Sequence, residues 1–310
     1  MKHIKKTLSV ILVLAMVLSM IPMVVSAETS DSTQFVLMST ADVHGKIWNK
    51  NLLNDLNVSD SLLNVATAVK EIRGEFGENT LLVDNGDLYQ GTPVASYHIS
   101  QYSQGQVYDI NPVTLALEYI GYDTYTLGNH EFNYPWDTMV DFYDYLETKG
   151  IPCSCANLYF EATGERVFAP YYTKTLTLAG QEFVIGVIGI ENTDCTRWDV
   201  PDNYPGIIFA SPENESLDIA YEVNKVLDEM KADGVECDFI VLNYHSGLGS
   251  DTEELTTARI PRTRSCVPSS APPAWTSSLQ VMTTPAPTAT TPTPTRTAMR
   301  SWSSTPAAPL

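Results

Sequence analysis

Thr80-Leu81-Leu82-Val83-Asp84-Asn85-Gly86-Asp87 sets a short, wholly apolar run directly before a polar turn. A strand with one wet face would alternate, so an unbroken run of this length reads as a strand buried on both faces. The same grammar recurs on either side. Apolar runs at 34–40, 123–127, 182–190 and 238–243 share the Val, Ile and Leu content, and three of them lead into Asp42-Val43-His44, Gly128-Asn129-His130-Glu131 and Asn243-Tyr244-His245-Ser246-Gly247. Between the runs lie amphipathic stretches near 60–74, 111–120, 135–149 and 214–232, and Leu62, Leu63, Ala66, Val69 and Ile72 make one apolar helical face. Strand alternating with helix predicts an α/β architecture. Ligands in such sheets gather beyond the carboxyl ends of the strands, which is where all four polar clusters fall.

Composition bounds the rest. Residues 1–27 read as a secretory signal: Lys2, Lys5 and Lys6, an apolar stretch from Leu8 to Val25, then Val25-Ser26-Ala27 at the cleavage position. An uncleaved membrane anchor is the alternative, because the apolar stretch has the length of a span. Export is the expectation, to the cell wall, periplasm or medium, with no stable membrane association after cleavage. Residues 28–258 suffice for one large α/β domain. The formal charge is −19 and the last acidic residue is Glu254. A surface this negative repels nucleic-acid polymers and anionic membranes, and a small anionic substrate would need a local positive centre such as a metal ion. Cys153, Cys155, Cys195 and Cys237 show no zinc-ribbon spacing and imply no disulfide framework. From 259 to 310 there is no Asp or Glu, and Pro, Thr and Ser supply 10, 11 and 8 of the 52 positions. That composition predicts a disordered tail, either a stalk or the product of a shifted reading frame.

The clusters carry metal chemistry. Residues two apart in an extended segment point to one side, so Asp42 and His44 can offer a carboxylate oxygen and an imidazole nitrogen to one ion. Taken alone the pair also suits a solvated turn. Asp87 follows a glycine that lets the chain turn sharply at a strand end, and its two oxygens could bridge two cations or simply cap the turn. Asn129 offers a neutral carbonyl ligand, and His130 beside it is left to face a substrate. A helix cap would explain Asn129 and leave His130 without a role. His245, from another strand end, completes a mixed oxygen and nitrogen set suited to Zn, Mn, Fe or Co.

In this order the four motifs resemble the calcineurin-like metallophosphoesterases, over about Gln34 to Asp251. The wording Asp84-Asn85-Gly86-Asp87-Leu88-Tyr89-Gln90-Gly91, Gly128-Asn129-His130-Glu131-Phe132-Asn133-Tyr134 and Thr196-Arg197-Trp198-Asp199 is similar to the exported 2′,3′-cyclic-nucleotide 2′-phosphodiesterase/3′-nucleotidases. The related 5′-nucleotidases carry an Asp where Asn133 stands, paired with the catalytic His, and its replacement favours the cyclic-nucleotide branch; Asn133 is a candidate substrate-binding position. The resemblance implies a four-layer sandwich of two β-sheets flanked by helices. It implies that Asp42 and His44 hold a first divalent ion, that Asp87 bridges, and that Asn129 and His245 hold a second. It further implies in-line attack of water on phosphorus with both ions neutralising the developing charge, and His130 at the phosphoryl oxygen or the leaving alcohol. The expected partner is a nucleotide or another small phosphoester.

One element of that family is missing from the sequence. A Gly-His-x-His, one imidazole for each metal, should follow His245 and lead to a second domain that grips the base, yet the five histidines are His3, His44, His98, His130 and His245. Codons for Ala274-Trp275-Thr276-Ser277-Ser278-Leu279-Gln280-Val281-Met282-Thr283-Thr284, read one base earlier, force an Asp after Trp275. They then allow an apolar strand and Gly-His-Asp-His with the second Asp also forced. The expectation is therefore a C-terminally truncated nucleotide phosphoesterase whose tail follows a frameshift and whose turnover is impaired. A 5′-nucleotidase-type enzyme and a non-catalytic exported metal-binding remnant are the alternatives.

Overall fold

A computed structural model describes residues 34–50, 54, 56–246, 278–283 and 300–301. The predicted signal segment lies outside them, as does most of the tail. Among the described residues no helix is long and apolar enough to cross a membrane.

Two sheets form the centre. In the first, β1 (Val36–Thr40), β2 (Thr80–Asp84) and β3 (Thr124–Tyr125) run parallel, with Thr40 level with Asp84. In the second, β6 (Gln181–Glu191) and β8 (Phe239–His245) run parallel, with Glu191 level with His245. β5 (Tyr171–Leu178) joins β6 as a hairpin through Ala179 and Gly180, which both have positive φ, the conformation a tight two-residue hairpin turn requires. A short pair, β4 (Tyr159–Phe160) with β7 (Ile207–Ile208), stands apart.

The strand period of two builds the layers. Leu37, Leu81 and Val83 point from the first sheet toward Ile185, Val187, Phe239 and Val241 of the second, closing a sheet-on-sheet core. Their neighbours Val36, Met38 and Leu82 point the other way, into helices α1 (Leu62–Phe76), α2 (Pro93–Ser103), α3 (Pro112–Ile120) and α4 (Trp136–Thr148). On the far side Ile188, Ile190, Ile240 and Leu242 pack under α6 (Ile219–Ala232) through Val223, Val226 and Met230. The short α5 (Cys195–Trp198) follows β6. The result is the expected helix, sheet, sheet, helix sandwich.

Local chemistry sets the helix ends. Asn111 accepts from the Val113 amide at 2.9 Å to start α3 behind Pro112, and Gly121 closes it in the left-handed conformation. Asp218 starts α6 in the same way, accepting from Ala220 N at 2.9 Å. α2 and β5 are additions to the elements predicted from sequence. Beyond residue 258 two strands are described, β9 (Ser278–Thr283) antiparallel on β8 and β10 (Arg300–Ser301) parallel on β1.

Candidate active site

The loops after β1 and β2 are laced together by backbone bonds. Asp42 N donates to Gly86 O at 3.0 Å, His44 N to Asp87 O at 2.9 Å and Gly45 N to Leu88 O at 2.7 Å. Asp42, His44 and Asp87 have φ of 51°, 50° and 58°, a region that costs an L-residue about 1–2 kcal/mol and is held here by that lacing. These three side chains are thereby turned to one side of the strand ends.

Buried Glu131 ties in the loop after β3. Its carboxylate accepts from Gly128 N at 2.7 Å, Asp87 N at 2.8 Å and Leu88 N at 2.7 Å. Asp87 Oδ1 in turn accepts from His130 N at 2.9 Å. The second sheet is stitched on by Asn243 Nδ2 to Asp84 O at 2.8 Å and Asn85 Nδ2 to Tyr244 O at 3.1 Å. Four strand ends from two sheets thus converge on Asp87.

At the centre, ligand atoms of Asp42, Asp87 and His245 lie within 4.8 Å of one another. Three imidazole Nε2 atoms surround Asp87 Oδ2: His245 at 3.5 Å, His44 at 3.9 Å and His130 at 4.0 Å. Asn129 Oδ1 is 3.3 Å from His245 Nε2, and His44 Nε2 is 3.9 Å from Asp42 Oδ1. The far nitrogens face acceptors. His44 Nδ1 meets Gln90 O at 2.9 Å and His245 Nδ1 meets Asn85 O at 2.5 Å. A carbonyl only accepts, so the neutral rings carry Nδ1–H and turn an Nε2 lone pair inward, the orientation seen in metal-ligating histidines. Carboxylates, imidazoles and an amide oxygen around one point form a donor set that fits divalent cations.

The electrostatics agree. Burial pushes the Asp87 carboxyl up, but His245 and His130 outweigh it and hold Asp87 below the ordinary value. Burial disfavours a charged His245, yet Asp87 and Glu191 raise its pKa well above the ordinary imidazole value. Burial, with Asp87 adding to it, pushes Glu131 up to about 7. Asp84 rises through burial as well, although Thr40 Oγ1 and Gly86 N donate to it at 2.5 and 2.9 Å. So much buried carboxylate in one place calls for positive charge.

His130 stands at the mouth of the site. Its ring packs edge-on against His44, with centroids 5.4 Å apart, and its Nδ1 is 2.6 Å from Asn133 Oδ1. Asn133 is exposed, and its Nδ2 donates to Asp199 Oδ1. Every sequence-predicted site residue therefore lies in one cluster: Asp42, His44, Asp87, Asn129, His130 and His245 at its centre, Asn133 at its rim. Glu131, Glu191 and Asp199 are neighbours of this cluster to which sequence reasoning assigns no role. Glu191 is fully buried at the end of β6, and neither carboxylate oxygen has a hydrogen-bond partner among the described residues.

Residues 36–230 match the calcineurin-like phosphoesterase family model. The chain belongs to the calcineurin-like phosphoesterases. The family implies divalent metal ions, and the donor set around Asp87 is where this member would hold them. The trifunctional nucleotide phosphoesterase protein YfkN of Bacillus subtilis is 29% identical over 260 residues, 79% of this chain and 17% of that protein. A 2′,3′-cyclic-nucleotide 2′-phosphodiesterase/3′-nucleotidase of Haemophilus influenzae is 29% identical, across 71% of this chain and 32% of its own length. Among solved structures, the calcineurin-like phosphoesterase YfkN from Bacillus subtilis superimposes with a TM-score of 0.58 at 29% identity, covering 71% of this chain and 64% of that one. A putative 5′-nucleotidase from Staphylococcus aureus gives 0.57 at 25% identity, over 70% and 38%. The chain spans about a third or less of these two curated relatives.

Proposed function

We propose that this phosphoesterase domain is built for metal-dependent hydrolysis of nucleotide phosphoesters, of the 2′,3′-cyclic-nucleotide phosphodiesterase/3′-nucleotidase type, in an exported protein. The observation that carries this reading is the convergence of three imidazole Nε2 atoms on Asp87 Oδ2 with Asp42 and Asn129 beside them. Asp42 and His44 would hold one divalent ion, Asn129 and His245 a second, and Asp87 would reach both. The ions supply Lewis-acid activation of water and of the phosphoryl group. The chain's own residues do the remaining work. The carbonyls of Gln90 and Asn85 hold the His44 and His245 rings so that ligation requires no reorganisation. Glu131 fixes the backbone that carries Asp87, and His130 would meet a phosphoryl oxygen or pass a proton to the leaving alcohol. Asn133 stands on the rim where a substrate would enter.

The absent Gly-His-x-His leaves each proposed metal position one imidazole short, and we take turnover by the 310-residue chain to be depressed for that reason. A cyclic-nucleotide preference over 5′-nucleotides rests on the wording of the motifs, since the relatives include enzymes of both names. The test uses the full chain. Titration with Mn or Zn should show binding that Asp87→Asn abolishes, with phosphate release from 2′,3′-cyclic AMP, 3′-AMP and 5′-AMP close to background. Restoring the one-base-earlier frame should raise release, most for the first two. No metal binding at millimolar concentration would sink the metal-site reading, and robust turnover with two ions in the 310-residue chain would sink the impairment.

A further inference from the structure

Four side chains form a line running outward from the site. His130 Nδ1 meets Asn133 Oδ1 at 2.6 Å, Asn133 Nδ2 donates to Asp199 Oδ1, and Cys195 Sγ donates to Asp199 Oδ2 at 3.2 Å. Asp199 also closes α5, its backbone N–H donating to Cys195 O at 3.1 Å. Cys195 is fully buried, so the thiol and the helix end anchor the carboxylate from behind.

An asparagine beside a histidine cannot by itself choose the ring's tautomer. Turning the carboxamide over exchanges its acceptor for its donor at no intrinsic cost, and the imidazole can follow by moving its proton. A carboxylate has no such freedom, because it only accepts. With Asp199 on one side, the Asn133 NH2 is drawn to Asp199 and its carbonyl is left facing His130. A carbonyl demands N–H, which places the His130 proton on Nδ1. The lone pair is then on Nε2, the nitrogen 4.0 Å from Asp87 Oδ2 and directed at the centre.

We infer that Asp199 is a positioning residue which, acting through Asn133, fixes His130 in the Nδ1–H form and so reserves Nε2 for protons exchanged at the reaction centre. The inference rests on the proposed reading for the meaning of that Nε2, while the tautomer itself can be observed without any turnover. Asp199 and Asn133 are 66 residues apart, and α5 meets the loop after β3 where Cys195 Sγ lies 3.9 Å from Asn129 O.

The experiment is nitrogen-15 NMR on the uniformly labelled full chain at pH 8.5. Pyrrole-type and pyridine-type ring nitrogens resonate far apart, and His130 is assigned by the signals lost in His130→Gln. The wild type should show Nδ1–H in about tenfold excess or more, the worth of one good hydrogen bond. Asp199→Asn leaves Asn133 free to turn over and should bring the two tautomers to comparable populations. The exchanged pair Asn133→Asp with Asp199→Asn should restore Nδ1–H, because the carboxylate moved to position 133 then accepts both from His130 and from the carboxamide moved to position 199. An Nε2–H form in the wild type, or a ring indifferent to Asp199→Asn, would overturn the inference. Should Asp199→Asn unfold, the wild-type spectrum and the exchanged pair still decide. If the frame-restored chain turns over substrate, Asp199→Asn should lower kcat about tenfold or more with KM unchanged, and the exchanged pair should recover it. Normal tautomer control together with no phosphate release by the frame-restored chain would sink the proposed function and leave this inference standing.

Discussion

Replacing Gly86 by alanine tests whether the close approach of two loops holds the site together. Gly86 has φ of +86°, and a Cβ there would come within 2.5 Å of the Leu127 carbonyl carbon and 2.7 Å of Gly128 Cα. Carbon atoms rest about 3.5–4.0 Å apart, so the loops after β2 and β3 would have to separate by about 1 Å. The positive φ alone costs alanine about 1 kcal/mol, and forcing a methyl group against backbone adds about 1–3 kcal/mol. The sum, about 2–4 kcal/mol, is a large share of a domain's usual 5–15 kcal/mol. Gly150 isolates the first contribution, because its φ is +78° and a Cβ there meets nothing within 4 Å. In urea, with metal absent, Gly86→Ala should therefore lose about 1–3 kcal/mol more than Gly150→Ala at an unchanged m-value. The displacement also pulls Asn129 away from Asp87, so Mn affinity should fall about 10- to 100-fold in Gly86→Ala and hold in Gly150→Ala. Equal stabilities of the two variants, within about 0.5 kcal/mol, would refute the argument from contact.

Three further outcomes are expected. The raised pKa of His245 means that the stability its proton lends the metal-free protein is complete below about 6.5 and lost as pH climbs through the raised value. Metal binding needs the neutral ring, so the Mn-induced rise in Tm should grow from pH 6.5 toward 9, and a pH-independent rise would show that His245 is no ligand. His130→Ala in the frame-restored protein should lower turnover about 100-fold or more with metal content unchanged, and loss of the metals would assign His130 to ligation instead. The gene read one base earlier from about codon 259 should encode an uninterrupted strand followed by Gly-His-x-His, and an early stop codon there would end the frameshift proposal.

What the sequence discloses, and what it hides, divides by the kind of partner each residue has. β1, β2, β6 and β8 are legible because both faces are buried, which writes Val, Ile and Leu at most positions. β5 escapes notice although Tyr171-Tyr172-Thr173-Lys174-Thr175-Leu176-Thr177-Leu178 ends at Ala179-Gly180, because a half-exposed edge of a hairpin carries too few apolar residues to stand out. α2 is hidden for a related reason. It buries only Ala95 and Ile99, and its Tyr97 is exposed, so no apolar stripe marks it.

The same division runs through the site. Asp42, His44, Asp87, Asn129, His130 and His245 belong to short motifs at strand ends, and their order along the chain is enough to associate them. Glu131 sits inside one of those motifs and still shows no role there, because its partners are the backbone amides of Gly128, Asp87 and Leu88, and amides leave no trace in residue type. Asp199 and Glu191 lie further still from legibility. Glu191 is a lone carboxylate at the end of an apolar strand and Asp199 closes a quoted stretch that assigns it no contact, so only the pairing of Glu191 with His245 and of Asp199 with Asn133 gives either a place. The proposed ligands of such a centre can therefore be read as words, while the groups that aim them are fixed by contacts between loops. Variants at Asp199 and Gly86 consequently test the folded arrangement itself, and a variant at Asp87 tests only the motif.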